Sequence, residues 1–375
     1  MIKFRSATAT AVCAVAFAGF VPSVAAQSQP SNSQGAETSQ TLEEVATPVV
    51  PLDDEFQVDF YGSLRLGMDY VDAGTDDDAI NGRDYLSRVG VKAKKRIGDG
   101  LALVATVEYG LRSDNLVDLQ QNGDPTLRLG YVGVQSKKYG SLYYGSQTVV
   151  FHRFVRGSYF SDGLDSIRLG TIRDDDLLQY YYTSGGLTVG AAVQTERQDG
   201  NSFDQFQLGA EYKTDIAKLQ VAAIKDNQGA NKGTLWGVRG WLYPAKGLTL
   251  SAYHHQQTAD FDIYGGSTGA IRLRDAATEG RVDGVPNCPG QSRSNSGVYA
   301  SYRTGGNQIH GRFALDSCDV SGDIKSYKIE YVRHLSKDAQ LWASYEKLDN
   351  DPLRAPSSSS GDSMSSFQIG ARYDF

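Results

Sequence analysis

Apolar and polar residues alternate along most of the chain after residue 56. In the first such stretch the even positions from 58 to 70 are apolar or glycine, whereas the odd positions include Asp59, Arg65 and Asp69. Because successive side chains of a β-strand point to opposite faces, this stretch predicts a strand with one apolar and one polar face. The same alternation returns in later stretches, among them Leu101–Leu111 and Phe367–Phe375.

The connections between these stretches fall into two alternating classes. Seven are short and rich in turn-forming residues, at Gly98-Asp99-Gly100, Gly140-Ser141, Gly185-Gly186, Asp215, Lys246-Gly247, Gly305-Gly306 and Lys337-Asp338. Eight are longer and polar, near residues 72–84, 113–125, 150–174, 197–201, 226–232, 264–293, 317–323 and 350–363. Fifteen connections join sixteen strands and leave both ends of the chain on the side of the short turns.

Short turns on one side and long loops on the other are typical of outer-membrane barrels. Strands of about ten residues suit a tilted crossing of a bilayer, where every sheet edge must be closed because lipid offers no hydrogen bonds. We therefore predict an all-β, transmembrane antiparallel β-barrel of 16 strands, with short periplasmic turns and long extracellular loops. A barrel of this size is too wide for side chains to fill, so its interior should contain water.

Composition excludes two other classes of protein. The 375 residues have a mean hydropathy of -0.39 and contain no apolar run of 18 residues, which excludes a bundle of membrane-spanning helices. A net charge of -7 argues against a nucleic-acid partner, since phosphate contacts need clustered Lys and Arg.

The N-terminal 54 residues do not follow the strand pattern. Residues 1–26 combine Lys3 and Arg5, an apolar run and the small residues Val24-Ala25-Ala26, so they predict a secretory signal peptide that is removed. Residues 27–54 contain five acids and no Lys or Arg, which predicts a disordered, acidic periplasmic tail. The mature chain would carry a net charge of -9, and its barrel would occupy residues 55–375.

Several segments, in order, resemble the general trimeric porins of Gram-negative outer membranes. They are Val58-Asp59-Phe60-Tyr61-Gly62, Ser87-Arg88-Val89-Gly90-Val91-Lys92, Gly140-Ser141-Leu142-Tyr143-Tyr144-Gly145, the stretch from Arg173 to Tyr180, and the terminal Tyr373-Asp374-Phe375. The resemblance implies a homotrimer in outer-membrane lipid that lets ions and small hydrophilic solutes diffuse passively, without a cofactor. It also implies that Tyr373 and Phe375 form the signal read by the barrel-insertion machinery.

Positive residues share the polar face of the predicted second, fourth and sixth strands. We call Arg88, Lys92, Arg128 and Arg173 the basic wall of the pore, and we expect Arg128 to oppose an apolar face formed by Leu127, Leu129 and Tyr131. Further charges predicted to face the lumen are Arg65, Lys94, Arg96, Glu108 and Arg112.

The resemblance implies that the third long loop, about residues 150–173, folds inward and places acids opposite the basic wall. Its candidate acids are Asp162 and Asp165, but the same loop carries Arg153, Arg156 and Arg168, so the ion preference of the channel stays open. The net charge of the mature chain favours cations at the mouths, and we expect weak cation selectivity.

Two cysteines remain in the predicted barrel, Cys288 in the sixth long loop and Cys318 in the seventh. In an oxidising compartment they would usually pair, so we predict a disulfide between neighbouring loops. A metal site at Asp316, Asp319 and Asp323 near Cys318 is the alternative, but acids close together in a loop are usually just solvated.

No catalytic arrangement is visible in the sequence. His254 and His255 are adjacent in a predicted strand and must face opposite sides, the other histidines are isolated, and no nucleophile or zinc motif is present. We therefore predict no enzyme and no metal. The alternatives to a general diffusion channel are a channel selective for an anion or a sugar, and a structural barrel with a closed lumen.

Overall fold

The structure, a computed structural model, describes residues 56–72, 79–111, 126–161, 169–170, 172–195, 203–227, 233–259, 261, 272–274, 281–283, 292–318, 322–350 and 363–375. The signal peptide and the acidic tail predicted above lie outside these residues. Among the described residues, no helix is both long and apolar enough to cross a membrane.

Sixteen antiparallel strands follow one another around a closed barrel, as the alternation predicts. They are β1 (Gln57–Asp72), β2 (Ala79–Asp84 continued by Arg88–Gly98), β3 (Leu101–Gly110), β4 (Thr126–Ser136), β5 (Gly140–Thr148), β6 (Arg173–Ser184), β7 (Leu187–Thr195), β8 (Phe203–Lys213), β9 (Ala217–Asp226), β10 (Thr234–Ala245), β11 (Leu248–Gln257), β12 (Arg293–Thr304), β13 (Asn307–Cys318), β14 (Gly322–His334), β15 (Ala339–Asn350) and β16 (Ser363–Asp374). The predicted fold class is confirmed.

Pairing of the first and last strands closes the sheet. The register of β1 on β16 runs from Ser63 opposite Asp374 to Asp72 opposite Ser365. Each other strand pairs with its neighbours in the chain. Closure leaves the barrel sheet, as far as the structure describes it, without an edge strand, which is what a sheet surrounded by lipid requires.

Strand β2 is interrupted, which the alternation did not predict. Its two segments both pair with β1, and between them Leu86 adopts a left-handed φ of 69°. The backbone N–H of Ser87 donates to the Asp84 carboxylate at 2.6 Å, and the N–H of Tyr85 donates to the Arg65 carbonyl at 2.7 Å. These bonds hold the interruption and turn the Tyr85 ring inward against Trp342.

The two faces of the barrel differ as predicted. Apolar side chains point outward and are exposed, for example Phe60 at 75% and Ile329 at 50%, whereas polar ones such as Arg65 and Glu108 point inward and are buried. Transfer of an exposed apolar side chain into hydrocarbon is favourable, so the outer face is suited to lipid.

The predicted faces of β4 need a correction. Leu127 is exposed on the outer face, but Leu129 is buried and Tyr131 packs against the buried core inside the barrel. The physical reason is a β-bulge, because the β3–β4 register shifts between Glu108 and Tyr109. A small hairpin between Arg272–Arg274 and Arg281–Asp283 within the sixth long loop was also not predicted.

Candidate functional site

Glu108 on β3 is the centre of a cluster that contains two members of the basic wall. Its carboxylate lies 2.6 Å from Nε of Arg128 on β4 and 3.4 Å from Nε of Arg88 on β2. The Tyr61 hydroxyl donates to it at 3.1 Å, and Arg173 at the start of β6 lies within its electrostatic reach. The cluster brings together residues that are far apart in the sequence.

Two further arginines extend this positive surface. Arg65 on β1 is 3% exposed and lies within the electrostatic reach of Arg88, Arg128 and Arg372. Arg372 on β16 donates to both carboxylate oxygens of Asp374, at 2.9 and 2.6 Å. The lumen face of β16 and β1–β4 is therefore predominantly positive.

The remaining predicted charges of β2 follow the lumen face toward the periplasmic turn. Nζ of Lys92 lies 4.4 Å from the centre of the Tyr61 ring. Lys94 is half-buried, and Arg96 contacts Asp99 at 3.2 Å. Arg112 lies outside the described residues.

The inward loop, residues 149–172 between β5 and β6, packs its first residues against an apolar patch on the lumen wall. Val149, Val150, Phe151, Phe154 and Val155 are at most 2% exposed, and they pack with side chains that include Leu177, Ala222, Ile224 and Leu235. Burial of this apolar surface stabilises the loop inside the barrel.

Glycine and glutamine on β8 shape this first contact. A Cβ at Gly209 would lie 2.3 Å from Cδ2 of Phe154, so only glycine leaves room for that ring. The N–H of Val150 donates to Oε1 of Gln207 at 2.8 Å. Gln207 in turn donates to Gln205 at 2.9 Å, which extends the hydrogen-bonded row along β8.

A second contact holds the middle of the inward loop. Arg239 on β10 donates to the Gly157 carbonyl at 2.8 Å and to the Tyr159 hydroxyl at 3.1 Å, while its guanidinium lies 4.0 Å from the Tyr159 ring centre. The Tyr159 ring also stacks on Tyr299 of β12, with 4.2 Å between the ring centres. Because Arg239 donates hydrogen bonds to the loop and also stacks on the Tyr159 ring, it holds both the backbone and a side chain of the loop in place.

A third contact holds the far end of the described loop segment. The N–H of Ser161 donates to Oε1 of Glu330 on β14 at 2.9 Å, and the same oxygen lies 2.8 Å from Nε2 of His310 on β13. The Phe160 ring lies over this pair, with its centre 5.2 Å from that of His310 and 4.7 Å from Nζ of Lys328.

The three contacts show which side of the lumen the inward loop covers. They involve lumen-facing residues of β8, β10 and β14, and β11 lies midway along this arc. In a ring of sixteen strands, β11 is eight strands from β3. Glu108 on β3, the centre of the basic cluster, therefore lies across the lumen from the arc that contacts the inward loop. Asp162 and Asp165, the acids expected to oppose the basic wall, lie outside the described residues.

Sequence reasoning missed the residues that hold the loop. Arg239, His310 and Glu330 occupy the alternate strand positions whose side chains face the lumen, but nothing in the sequence indicated that a loop covers these three residues. One available signal was Gly209, since a glycine on the lumen face of a strand often marks the close approach of another segment. His310 is isolated in the sequence, yet the fold pairs it with Glu330.

The other predicted residues lie away from this cluster. Tyr373 and Phe375 are each 54% exposed on the outer surface, and the N–H of Phe375 donates to the Gly62 carbonyl at 3.1 Å. The backbone of Cys318 ends β13 opposite Arg293, whereas Cys288 lies outside the described residues. Within the described part of the chain, no group of three or more His, Cys, Asp or Glu side chains is arranged to hold a metal.

Comparison with known sequences gives two matches. The model of a family described as Gram-negative porin matches residues 8–353. An outer membrane porin protein of Bordetella pertussis is 27% identical over 179 residues, which covers 40% of this chain and 46% of that protein. The aligned region thus spans about half the length of this curated relative.

Comparison with solved structures concerns the fold, because the identities are below 25%. Salmonella typhi OmpF, solved in complex with daunomycin, superposes with a TM-score of 0.66 at 17% identity, covering 86% of this chain and 99% of the other. An anion-selective porin from Comamonas acidovorans gives 0.60 at 16% identity, covering 86% and 100%. The architecture described above is therefore similar to that of solved outer-membrane channels.

Proposed function

Because the chain belongs to the Gram-negative porin family, we propose that it is an outer-membrane diffusion channel through which ions and small hydrophilic solutes pass. One observation carries this proposal: residues 149–161 of the inward loop pack on one arc of the lumen wall, and the charged surface around Glu108 lies on the opposite arc. A polar lumen admits hydrated solutes and penalises apolar ones that cannot reorganise their water.

Single-channel recording of the refolded mature protein in a planar bilayer tests the proposal. We expect stepwise conductance and, in a KCl gradient, a small reversal potential. Absence of conductance from a strand-rich, heat-modifiable protein would reject the diffusion channel and favour a structural barrel with a closed lumen.

A second candidate is an anion-selective channel built on the basic wall. The surface formed by Arg65, Arg88, Arg128 and Arg372 supports it, because four arginines lie near one another there, with Arg88 and Arg128 in contact with Glu108 and Arg372 in contact with Asp374. A strongly anion-favouring reversal potential would select this candidate, and a cation-favouring one would reject it.

The assembly proposed is a homotrimer in outer-membrane lipid, inserted by machinery that reads Tyr373 and Phe375. Conductance in groups of three steps, and a mass of three chains in mild detergent, would support the trimer. Removal of Phe375 should lower the amount of barrel in the outer membrane without changing synthesis. Equal amounts of both proteins in the membrane would reject the insertion signal.

The N-terminal segments and the cysteines keep their predicted roles as proposals. Residues 1–26 are the signal peptide and residues 27–54 a tail that does not form the channel, so deletion of 27–54 should leave conductance unchanged. Cys288 and Cys318 form a disulfide, and mass spectrometry without reductant should find no free thiol. Detection of two free thiols would reject the bond.

We also infer that the chain has no catalytic activity. His254 and His255 point to opposite faces, which supports this inference, since His255 is buried beneath the inward loop and His254 contacts Ser296 on the outer face. The His310–Glu330 pair has completely buried side chains and its carboxylate binds the Ser161 amide, so it has a structural role. Hydrolysis of lipid or ester substrates by the purified protein would contradict the inference.

A further inference from the structure

The lumen face of β2–β4, on the periplasmic side of the basic cluster, carries a row that runs from a lysine to a tyrosine. Lys92 on β2 lies opposite Thr106 on β3, and Thr106 lies opposite Tyr131 on β4. Neighbouring strands are about 4.8 Å apart, so roughly 10 Å separates the backbones of the lysine and the tyrosine. The side chain between them is short.

A second row, one step nearer the periplasm, repeats the pattern. Lys94 lies opposite Val104, and Val104 lies opposite Gly133. A Cβ at Gly133 would lie 2.5 Å from Cδ1 of Tyr143 on β5, so the tyrosine ring occupies the space over this glycine. This row also runs from a lysine, across a small side chain, to an aromatic ring.

The lysine side of the two rows is positively charged. Within the described part of the chain, no hydrogen bond or ion pair involves the Lys94 ammonium, and Lys137 in the turn between β4 and β5 lies within its electrostatic reach. The acid on this part of the lumen face of β1 is Asp59, which lies opposite Lys92 and accepts from Gln57 at 3.2 and 3.0 Å. Three lysines against one carboxylate attract anions to this surface.

The tyrosine side presents one ring to the lumen. Tyr143 is 4% exposed, and the next ring, Tyr181 on β6, is covered by the Arg153 guanidinium at 4.0 Å. Tyr131 is half-buried and packs edge-on against Tyr143, with 5.5 Å between the ring centres. Tyr143 thus fixes the orientation of Tyr131, which is the ring of this series that a solute can reach.

We propose that the two rows form a binding subsite for aromatic carboxylates in the periplasmic half of the pore, with Lys92 and Lys94 attracting the carboxylate and Tyr131 packing against the ring. The proposal rests on the proposed diffusion channel and names a solute class that the channel favours. The roughly 10 Å between the flanking backbones accommodates one benzene ring with its carboxylate turned toward the lysines. Ring contact and charge attraction then act on the same molecule.

The first part of the test uses sodium benzoate as the probe. Single-channel currents of the mature full-length chain are recorded in about 0.1 M KCl, where wall charges act over about 10 Å. Acetate carries the charge without the ring, and benzamide carries the ring without the charge. We expect benzoate to lower the conductance in a saturable way, and equal concentrations of acetate or benzamide to lower it much less.

Two matched pairs of variants test the assigned residues. Lys94→Gln is compared with Lys95→Gln, since Lys94 faces the lumen and Lys95 is exposed on the outer face. Tyr131→Leu is compared with Tyr109→Leu, since Tyr109 on β3 is 42% exposed on the outer face. We expect the benzoate concentration for half-maximal block to rise about threefold or more in each lumen variant and to stay unchanged in its control. Heat-modifiability shows that all four variants are folded.

Four outcomes overturn the proposal. A conducting channel that benzoate does not block rejects the subsite while the diffusion channel stands. Equal block by acetate rejects the role of the ring, and equal block by benzamide rejects the role of the lysines. Equal effects of a lumen variant and its control reject the assigned residue. Absence of any conductance rejects the diffusion channel and the subsite together.

Discussion

Substitution of Glu108 gives a direct test of how the basic cluster affects ion preference. The carboxylate is 2% exposed and contacts Arg88, Arg128 and the Tyr61 hydroxyl. Glu108→Gln keeps the size of the side chain and its capacity to accept a hydrogen bond. It removes one negative charge from a surface that Arg65 and Arg372 already make positive.

The expected size of the effect follows from Coulomb's law. The interaction energy between this charge and a monovalent ion about 7 Å away in a water-like lumen is about 0.6 kcal/mol, and screening by about 0.1 M salt reduces it to about 0.3 kcal/mol. The change has opposite signs for K⁺ and Cl⁻, so the difference is about 0.6 kcal/mol. We expect the permeability ratio of Cl⁻ to K⁺ to rise about threefold.

The assay is the reversal potential of single channels in a KCl gradient at low ionic strength. Glu108→Asp is the matched control, because it keeps the charge and should keep the reversal potential of the unmodified channel. An unchanged or more cation-favouring potential in Glu108→Gln would refute the reasoning, since it would mean that mobile ions do not sense this part of the wall.

Two further substitutions test the barrel closure and the inward loop. A Cβ at Gly62 would lie 2.3 Å from Cζ of Phe375, so Gly62→Ala should displace that ring and lower the folded fraction in a heat-shift gel. Gly82→Ala is the control, because the space around Gly82 is open and its folded fraction should not fall. Equal folded fractions of the two variants would contradict the role of this contact in joining β1 to β16. Arg239→Met leaves the Gly157 carbonyl without its donor, at a cost of about 1–3 kcal/mol in urea unfolding, and should make single-channel currents noisier. Quiet currents and unchanged stability would show that the loop does not depend on this arginine.

Two patterns together were sufficient to predict the barrel: the alternation of apolar and polar residues within the strands, and the alternation of short turns and long connections between them. Successive side chains of a strand point to opposite faces, so a strand with lipid on one side and water on the other alternates apolar and polar residues along its sequence. The exceptions are local. The bulge at β4 breaks the period by one residue, and the interruption at Leu86 depends on the hydrogen bond that the Ser87 N–H donates to the Asp84 carboxylate, which alternation does not encode.

The cluster around Glu108 and the contacts of the inward loop could not be predicted in the same way, because they join distant parts of the chain. Parity placed Arg88, Arg128 and Glu108 on the lumen face, but their convergence on one carboxylate depends on the stagger of β2, β3 and β4. The bond from Ser161 to Glu330 spans 169 residues, and it exists because a loop crosses beneath strands with which it shares no pattern. A strand can be predicted from its own residues. The surface covered by an inward loop cannot, because it depends on which lumen side chains of several strands leave room for the loop.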